Sequence, residues 1–293
     1  MRPEPDTALY ALPGMRPFAE RVAAAANLPL YRVARHTFPD GELLPRVPTP
    51  AALNALLVHG LYQPNAKILE ASLVADALRR AGAKRVILIA PYLPYMRQDQ
   101  VFHPGEPLSQ KVFGRILRLG FDRVLTVEPH LHRVHRLSEV VPGRAISAAP
   151  AIARWLEVHL PDAWIVGPDA ESERWVRPIA QLLARPWMVG EKERQSDLRV
   201  RLRFPPLPPG SKVALVDDIA SSGGTFAAAA RKLRQAGAQR IAAIVVHAIF
   251  APGSLSRLRS SGIARVVSCD TVPHPTNRIS CVPEIAKALG QVR

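Results

Sequence analysis

One phrase recurs along this chain and constrains its fold more than any other feature: a helix end, a glycine and an apolar run. Leu78-Arg79-Arg80-Ala81-Gly82-Ala83-Lys84-Arg85-Val86 leads into Ile87-Leu88-Ile89. Leu233-Arg234-Gln235-Ala236-Gly237-Ala238-Gln239-Arg240-Ile241 leads into Ala243-Ile244-Val245-Val246. Leu258-Arg259-Ser260-Ser261-Gly262-Ile263-Ala264-Arg265-Val266 repeats it, and Leu117-Arg118-Leu119-Gly120-Phe121-Asp122-Arg123-Val124 is the same phrase shortened by one residue. Each reads as the last turn of a helix, a glycine able to take the left-handed cap, then a strand apolar on both faces. Strands of that kind belong to parallel sheets, because the crossover helices cover both sides.

Two copies fall in each half of the chain, so we read two similar doubly wound parallel-sheet α/β domains, 1–146 and 147–293, meeting near Gly143–Ala149. Further strands are expected near Leu30–Arg35, Ala55–Val58, Trp164–Val166 and Val213–Val216. Helices are expected near Pro17–Ala26, Lys67–Ala81, Ser109–Leu119, Glu173–Leu183, Thr225–Ala236 and Pro283–Leu289. The proline-rich Phe204–Gly210 resembles an interdomain linker or a polyproline-II ligand, but reads first as a stiff surface connection feeding the strand at Val213.

Composition narrows the function classes. With 293 residues, 48% hydrophobic and 22% charged, the chain is neither disordered nor collagen-like. No apolar run approaches the roughly 18–20 residues of a membrane span. Met1–Asp6 carries acids and prolines where a leader would carry basic and then apolar residues, so a cytoplasmic protein is expected. Two cysteines, Cys269 and Cys281, cannot build a disulfide framework and read as reduced thiols near packed strands. The net charge is +15, yet only seven of the 39 basic residues are lysine and aromatics total 6%. The arginines are dispersed, with no basic run interleaved with aromatics. That pattern suits small polyphosphates better than a nucleic acid.

The most informative segment is Val213-Ala214-Leu215-Val216-Asp217-Asp218-Ile219-Ala220-Ser221-Ser222-Gly223-Gly224-Thr225. A buried strand ends in two carboxylates and a small-residue loop then opens a helix. The carboxyl edge of such a sheet is where α/β folds bind ligands. Loop amides at the positive end of a helix close on a phosphate, and the paired acids can accept hydrogen bonds from sugar hydroxyls. An Asx turn with a helix cap would account for one aspartate but not for two. The cluster His130, His132 and His135 could suggest zinc, although histidines in loops are more often satisfied locally.

This segment resembles the binding motif for 5-phosphoribosyl 1-diphosphate (PRPP) shared by type I phosphoribosyltransferases and PRPP synthetases. The resemblance implies that Asp217 and Asp218 hold ribose hydroxyls, and that Ser221, Ser222, Gly223, Gly224 and Thr225 hold the 5-phosphate. Other stretches select the synthetases, which are ribose-phosphate pyrophosphokinases. Phe38-Pro39-Asp40-Gly41-Glu42 resembles their adenine-contacting loop, which reaches into a neighbouring subunit, so Phe38, Asp40 and Glu42 are implied in ATP binding. Pro91–Asp99 resembles their ATP-site stretch, matching at Arg97, Gln98 and Asp99, and Gly105–Lys111 resembles the segment that closes it. His130 matches a histidine near the metal and ATP phosphates, and Asp169 in Gly167-Pro168-Asp169 a magnesium-associated aspartate. Glu191-Lys192-Glu193-Arg194 matches the loop whose lysine and arginine, here Lys192 and Arg194, are catalytic. The likeness runs from about residue 36 to 285. It implies phosphoribosyltransferase-type domains, ATP and ribose 5-phosphate as substrates, Mg2+ as cofactor and a homo-oligomer.

The chemistry agrees. Diphosphoryl transfer needs positioning and neutralisation of charge on phosphate oxygens, and Arg, Lys and acid-held magnesium supply both. No GxxxxGK[ST] loop is present, which excludes a P-loop kinase. Departures from the family pattern are Ala170-Glu171-Ser172 in place of small residues and glycines, Gln100 in place of arginine, and Glu128-Pro129 before His130. They keep two rivals in view: a non-catalytic paralogue binding PRPP or nucleotides, and an enzyme for another sugar phosphate. RNA binding driven by charge ranks below both.

Ser221, the short His103–Pro107 segment and the chain length resemble the archaeal-type class III branch, which lacks ADP allostery. ADP is therefore expected to compete simply with ATP in steady-state kinetics. Sigmoidal inhibition that ATP does not relieve would refute the branch assignment.

Overall fold

The apolar runs after each helix end are strands buried on both faces. In Arg85–Ile89, for example, Val86, Leu88 and Ile89 have no exposure and Ile87 only 2%. The computed structural model describes residues 5–196 and 199–291, with the backbone alone for 192–196 and 199–201. Residues 1–4, on which part of the no-leader expectation falls, lie outside the described residues. Among the described residues no helix is long and apolar enough to cross a membrane.

Two units cluster separately. The first contains β1 (Thr7–Ala11), α1 (Arg16–Ala26), β2 (Leu30–Arg32), β3 (Ala34–Thr37), β4 (Leu43–Arg46), β5 (Asn54–Val58), α2 (Pro64–Arg80), β6 (Arg85–Ile89), α3 (Ser109–Gly120), β7 (Arg123–Val127) and β8 (Gly143–Ile146). Its sheet has the order β2-β1-β5-β6-β7-β8, with every pairing parallel. The second contains α4 (Ala149–His159), β9 (Trp164–Gly167), α5 (Glu173–Leu183), β10 (Trp187–Val189), β11 (Glu191–Ser196), β12 (Arg199–Arg203), β13 (Ser211–Ala220), α6 (Gly224–Gln235), β14 (Ala238–Ala248), α7 (Ser254–Ser260), β15 (Ile263–Cys269) and β16 (Asn277–Ile279). Its sheet, β10-β9-β13-β14-β15-β16, is again all parallel. The two orders are the same pattern. In each unit an antiparallel hairpin, β3–β4 or β11–β12, sits between the second and third sheet strands along the chain.

Gly82, Gly237 and Gly262 take positive φ (109°, 110° and 91°), as the repeated phrase predicts. Gly120 does not: it is the last residue of α3, and Phe121 ends the helix at φ −123°. A Cβ on Gly120 would stand 3.3 Å from the Ala75 Cβ of α2, so its reason is close helix packing. Phe204–Gly210 is not an interdomain linker. It lies within the second unit, with Phe204 and Leu207 buried in the core and the Leu207 amide donating to Ala236 O at 2.7 Å.

The chain's last helix, α8 (Val282–Leu289), belongs to the first unit, where it packs on α1. The second unit therefore differs from the expected 147–293 by losing this helix at its end. Helix α4, which follows β8, packs on α5 in the second unit. Each unit is thus closed by the helix that follows the other unit's last strand. The physical reason is burial: Val282, Ile285, Ala288 and Leu289 form one apolar face on α8, as Phe18, Ala19, Val22 and Ala23 do on α1.

Burial of a large apolar side chain contributes about 1.5–3 kcal/mol, and three of them rival a substantial part of the roughly 5–15 kcal/mol stabilising a whole domain. A chain ending at Cys281 is expected to lose amide-exchange protection in β1 and α1 while β13 and β14 keep theirs. Unchanged protection in β1 would show that α8 does not complete the first unit.

Candidate active site

Strand β13 carries Asp217 and Asp218 at its carboxyl end, beside β9 and β14. Asp218 is 4% exposed. The Asp218 amide donates to Asp217 Oδ1 at 3.0 Å. Burial raises the Asp217 carboxyl well above the usual carboxylate range, the negative charge of Asp218 raises it further, and Asp169 and Glu171 add to the effect. Only the Asp218 amide pulls the other way. The sheet edge thus gathers four carboxylates from two neighbouring strand ends.

Asp169 follows β9 and caps the turn before α5. Its Oδ1 accepts from the Glu171 amide and from Ser172 Oγ, each at 3.2 Å, while Ser172 Oγ accepts from the Asp169 amide at 3.4 Å. Ser172, one of the departures noted above, is fully buried. It fits because Gly167 has no side chain: a Cβ there would stand 2.5 Å from that of Ser172.

The loop Ser221–Gly223 enters α6 through Gly223, a left-handed N-cap at φ 73°. Its carbonyls are tied back by a neighbouring segment that sequence reasoning missed. Ser254 Oγ donates to Ser221 O at 2.7 Å, the Ala251 amide to the same oxygen at 3.1 Å, and Arg257 Nη1 to Ser222 O at 3.0 Å. A trans peptide points its N–H opposite its C=O, so clamping these carbonyls turns the following amides to the other side. Gly224 and Thr225 then open the helix, and the Gly224 amide donates to Ser222 Oγ at 3.4 Å. No sequence signal marks Ser254 or Arg257, because their partners are main-chain atoms.

In the first unit, Arg97, Gln98 and Asp99 lie in the loop after β6, and His130 in the loop after β7. Tyr95 and Glu128 in these loops adopt φ of 63° and 34°, uncommon for residues with a side chain and frequent at functional sites. The Asp99 side chain is 5% exposed and lies 3.7 Å from Arg133 Nε and 3.8 Å from His132 Nδ1, joining the two loops. His130 stacks with His132 at a centroid distance of 6.2 Å. Among the described residues no three His, Cys, Asp or Glu side chains group to hold a metal, so the zinc reading of His130, His132 and His135 gains no geometric support.

Phe38, Asp40 and Glu42 form the tip of the β3–β4 hairpin. The Phe38 amide donates to Glu42 O at 2.8 Å, the Gly41 amide to Phe38 O at 2.9 Å, and the Glu42 amide to Asp40 Oδ1 at 3.1 Å. Gly41 permits the turn with φ 94°. Phe38 is 39% exposed. Lys192 and Arg194 lie on β11, in register with Leu202 and Val200 of β12. Their side chains lie outside the described residues.

Fold and site together define a two-unit α/β protein whose second sheet ends in paired aspartates and a small-residue loop at a helix start. Residues 7–119 match the family model for the N-terminal domain of ribose phosphate pyrophosphokinase, and residues 209–287 that of the phosphoribosyl synthetase-associated domain. A ribose-phosphate pyrophosphokinase of Methanopyrus kandleri is 33% identical over 273 residues, covering 92% of this chain and 94% of its own. That of Pyrococcus furiosus is 33% identical over 265 residues, covering 89% and 93%. The phosphoribosylpyrophosphate synthetase structure from Mycobacterium smegmatis has the same fold, with TM-score 0.84, 24% identity and 98% coverage of both chains. The chain belongs to the ribose-phosphate pyrophosphokinase family.

Because its folded-state carboxyl is raised, Asp217 costs nothing to the fold below the unfolded value near ~4 and penalises it as pH rises through the folded value. Without divalent cations at neutral pH, Asp217→Asn is expected to raise Tm by about 2–4 °C, the shift that ~1 kcal/mol produces in a domain of this size. Below about pH 4 the gain should vanish. A variant less stable than wild type at neutral pH would contradict the proposed repulsion.

Proposed function

We propose that this chain transfers the diphosphoryl group of ATP to the 1-hydroxyl of ribose 5-phosphate, giving PRPP and AMP. The observation that carries the reading is the junction of Asp217, Asp218 and the Ser221–Thr225 cradle, in a chain of this family. The cradle amides hold the 5-phosphate, and the two aspartates accept from the ribose hydroxyls, fixing the 1-hydroxyl for attack on the β-phosphorus. The bond from that phosphorus to the AMP oxygen breaks as the new bond forms.

The loops after β6 and β7 take ATP, with Arg97, Gln98 and Asp99 on one and His130 on the other. Asp99 acts from beneath, holding the two loops together through His132 and Arg133. The Phe38–Glu42 tip takes adenine in a neighbouring subunit, so the active species is at least a homodimer. Lys192 and Arg194 meet the phosphate charge that develops in the transition state. Glu171 adds negative charge near Asp217, and a bound cation offsets it.

Mg2+ suits this donor set, because it uses one or two carboxylates and fills its remaining positions with water and phosphate oxygens. Asp169 would hold it in the second unit, and His130 lies among the ATP-site loops of the first. When bound, the ion would neutralise charge on the phosphate oxygens. The cytoplasm, where ATP and ribose phosphates are made, suits the reading.

Incubation with ATP, ribose 5-phosphate and magnesium is expected to yield AMP and PRPP in equal amounts, and absence of PRPP would overturn the proposal. Lys192→Ala is expected to lower kcat by ~10²-fold or more, with a much smaller change in ATP affinity. A loss confined to KM would remove Lys192 from the transition-state role.

A further inference from the structure

Glu70 is a buried carboxylate that the proposed chemistry does not use. It lies in the middle of α2 with its side chain 6% exposed. Arg35 Nη1, reaching from β3, donates to its Oε1 at 3.0 Å. On the other side His59 Nε2 stands 3.1 Å from Oε2, and both His59 ring nitrogens are buried. Burial by itself pushes the Glu70 carboxyl up, but the contacts with His59 and Arg35 outweigh it and hold it below the usual carboxylate range.

The place of this pair in the hairpin gives it a role. The β3–β4 ribbon is pinned at its base by Val33 and Val47, both buried in the first unit's core. Beyond the base, every residue of β3 is exposed, and on β4 only Leu43 and Pro45 are half-buried. Apolar attachment is thus confined to the β4 side, where the strand runs against α2, and on the β3 side Arg35 reaches the same helix through a polar contact. Arg35 pairs across the ribbon with Pro45, between the pinned base and the Phe38–Glu42 tip. Three residue steps carry the strand from Arg35 to Phe38, about 10 Å of lever arm, so a small swing at the base displaces the tip by ångströms.

We propose that Glu70, through Arg35, is the positioning residue for the Phe38–Glu42 loop: a buried charge in α2 that holds the hairpin at the angle where its tip receives the nucleotide. Neither residue touches ATP in this account; they act through the ribbon. The inference rests on the reading of that loop as an adenine-binding element.

The test uses the full chain. Arg35 is 45% exposed, so Arg35→Gln can break the pair from its solvent side without emptying the core. Arg35→Gln is expected to raise KM for ATP by roughly fivefold or more, because misplaced binding groups lose affinity steeply. It should leave KM for ribose 5-phosphate and kcat within about twofold and speed amide exchange at Phe38, Gly41 and Glu42. Glu70→Gln should move the same quantities in the same direction. If that variant fails to fold, Arg35→Gln and Arg35→Lys decide the matter, with Lys restoring part of the ATP affinity.

Phe38→Ala separates the two ideas. If Phe38→Ala leaves ATP affinity unchanged, the nucleotide role of the loop is wrong. If Phe38→Ala weakens ATP binding while Arg35→Gln changes neither ATP affinity nor exchange at the tip, the positioning role is wrong. Equal losses of kcat and of both substrate affinities with Arg35→Gln would likewise overturn it, since they would mark a general structural effect.

Discussion

A parallel strand buried on both faces has nowhere to present chemistry except its ends, and this constraint organises the whole chain. The apolar sequences of β5, β6, β7, β13 and β14 leave little room for a polar side chain before the last residues. Polar residues accordingly collect where strands stop: Asp169 after β9, Asp217 and Asp218 at the end of β13, Arg97–Asp99 after β6 and His130 after β7. The helices that cover the sheets also deliver their amino ends to these same edges. A helix start and a set of carboxylates therefore arise side by side from the topology itself.

The duplicated topology allows a comparison within one molecule. In the second unit β13 passes to α6 through a left-handed Gly223, and in the first β5 passes to α2 through a left-handed Gln63 at φ 57°. The backbone solution is shared, but the chemistry is not. In the first unit the loop is His59-Gly60-Leu61-Tyr62-Gln63, with Leu61 fully buried and Pro64 removing an amide from the helix start. The same frame thus carries a serine–glycine loop on one sheet and a corner with a buried leucine on the other. His59 in that corner stands beside Glu70 instead of facing a ligand.

What the sequence made legible follows from the range of each signal. The helix–glycine–strand phrase is local, and three of its four glycines have the expected positive φ. Gly120 broke the pattern because its reason lies across space, in the Ala75 side chain of α2. The Asp217–Thr225 segment was legible because acids, small residues and helix start are contiguous. The strand expected over Leu30–Arg35 is two, β2 and the start of β3, and β4 went unread since the hairpin's residues are largely exposed and carry no alternating apolar pattern. The exchange of α4 and α8 was illegible for a different reason: an amphipathic helix shows which face it buries, not which partner it buries it against. Ser254 and Arg257 were missed because they bond main-chain oxygens.

Net charge and local charge run opposite ways in this protein, and the difference is physically useful. A +15 chain attracts polyphosphates from a distance, in keeping with its dispersed arginines. At the edge of the second sheet, burial first and then the neighbouring acids nonetheless hold Asp217 above its ordinary range. Exposed arginines cannot relieve this, since screened charges at a distance act weakly on a buried carboxyl. Asp169 stands at this edge with its Oδ1 engaged in capping the turn before α5, which keeps the carboxylate fixed. Ser172, which departs from the family pattern, is part of what fixes it.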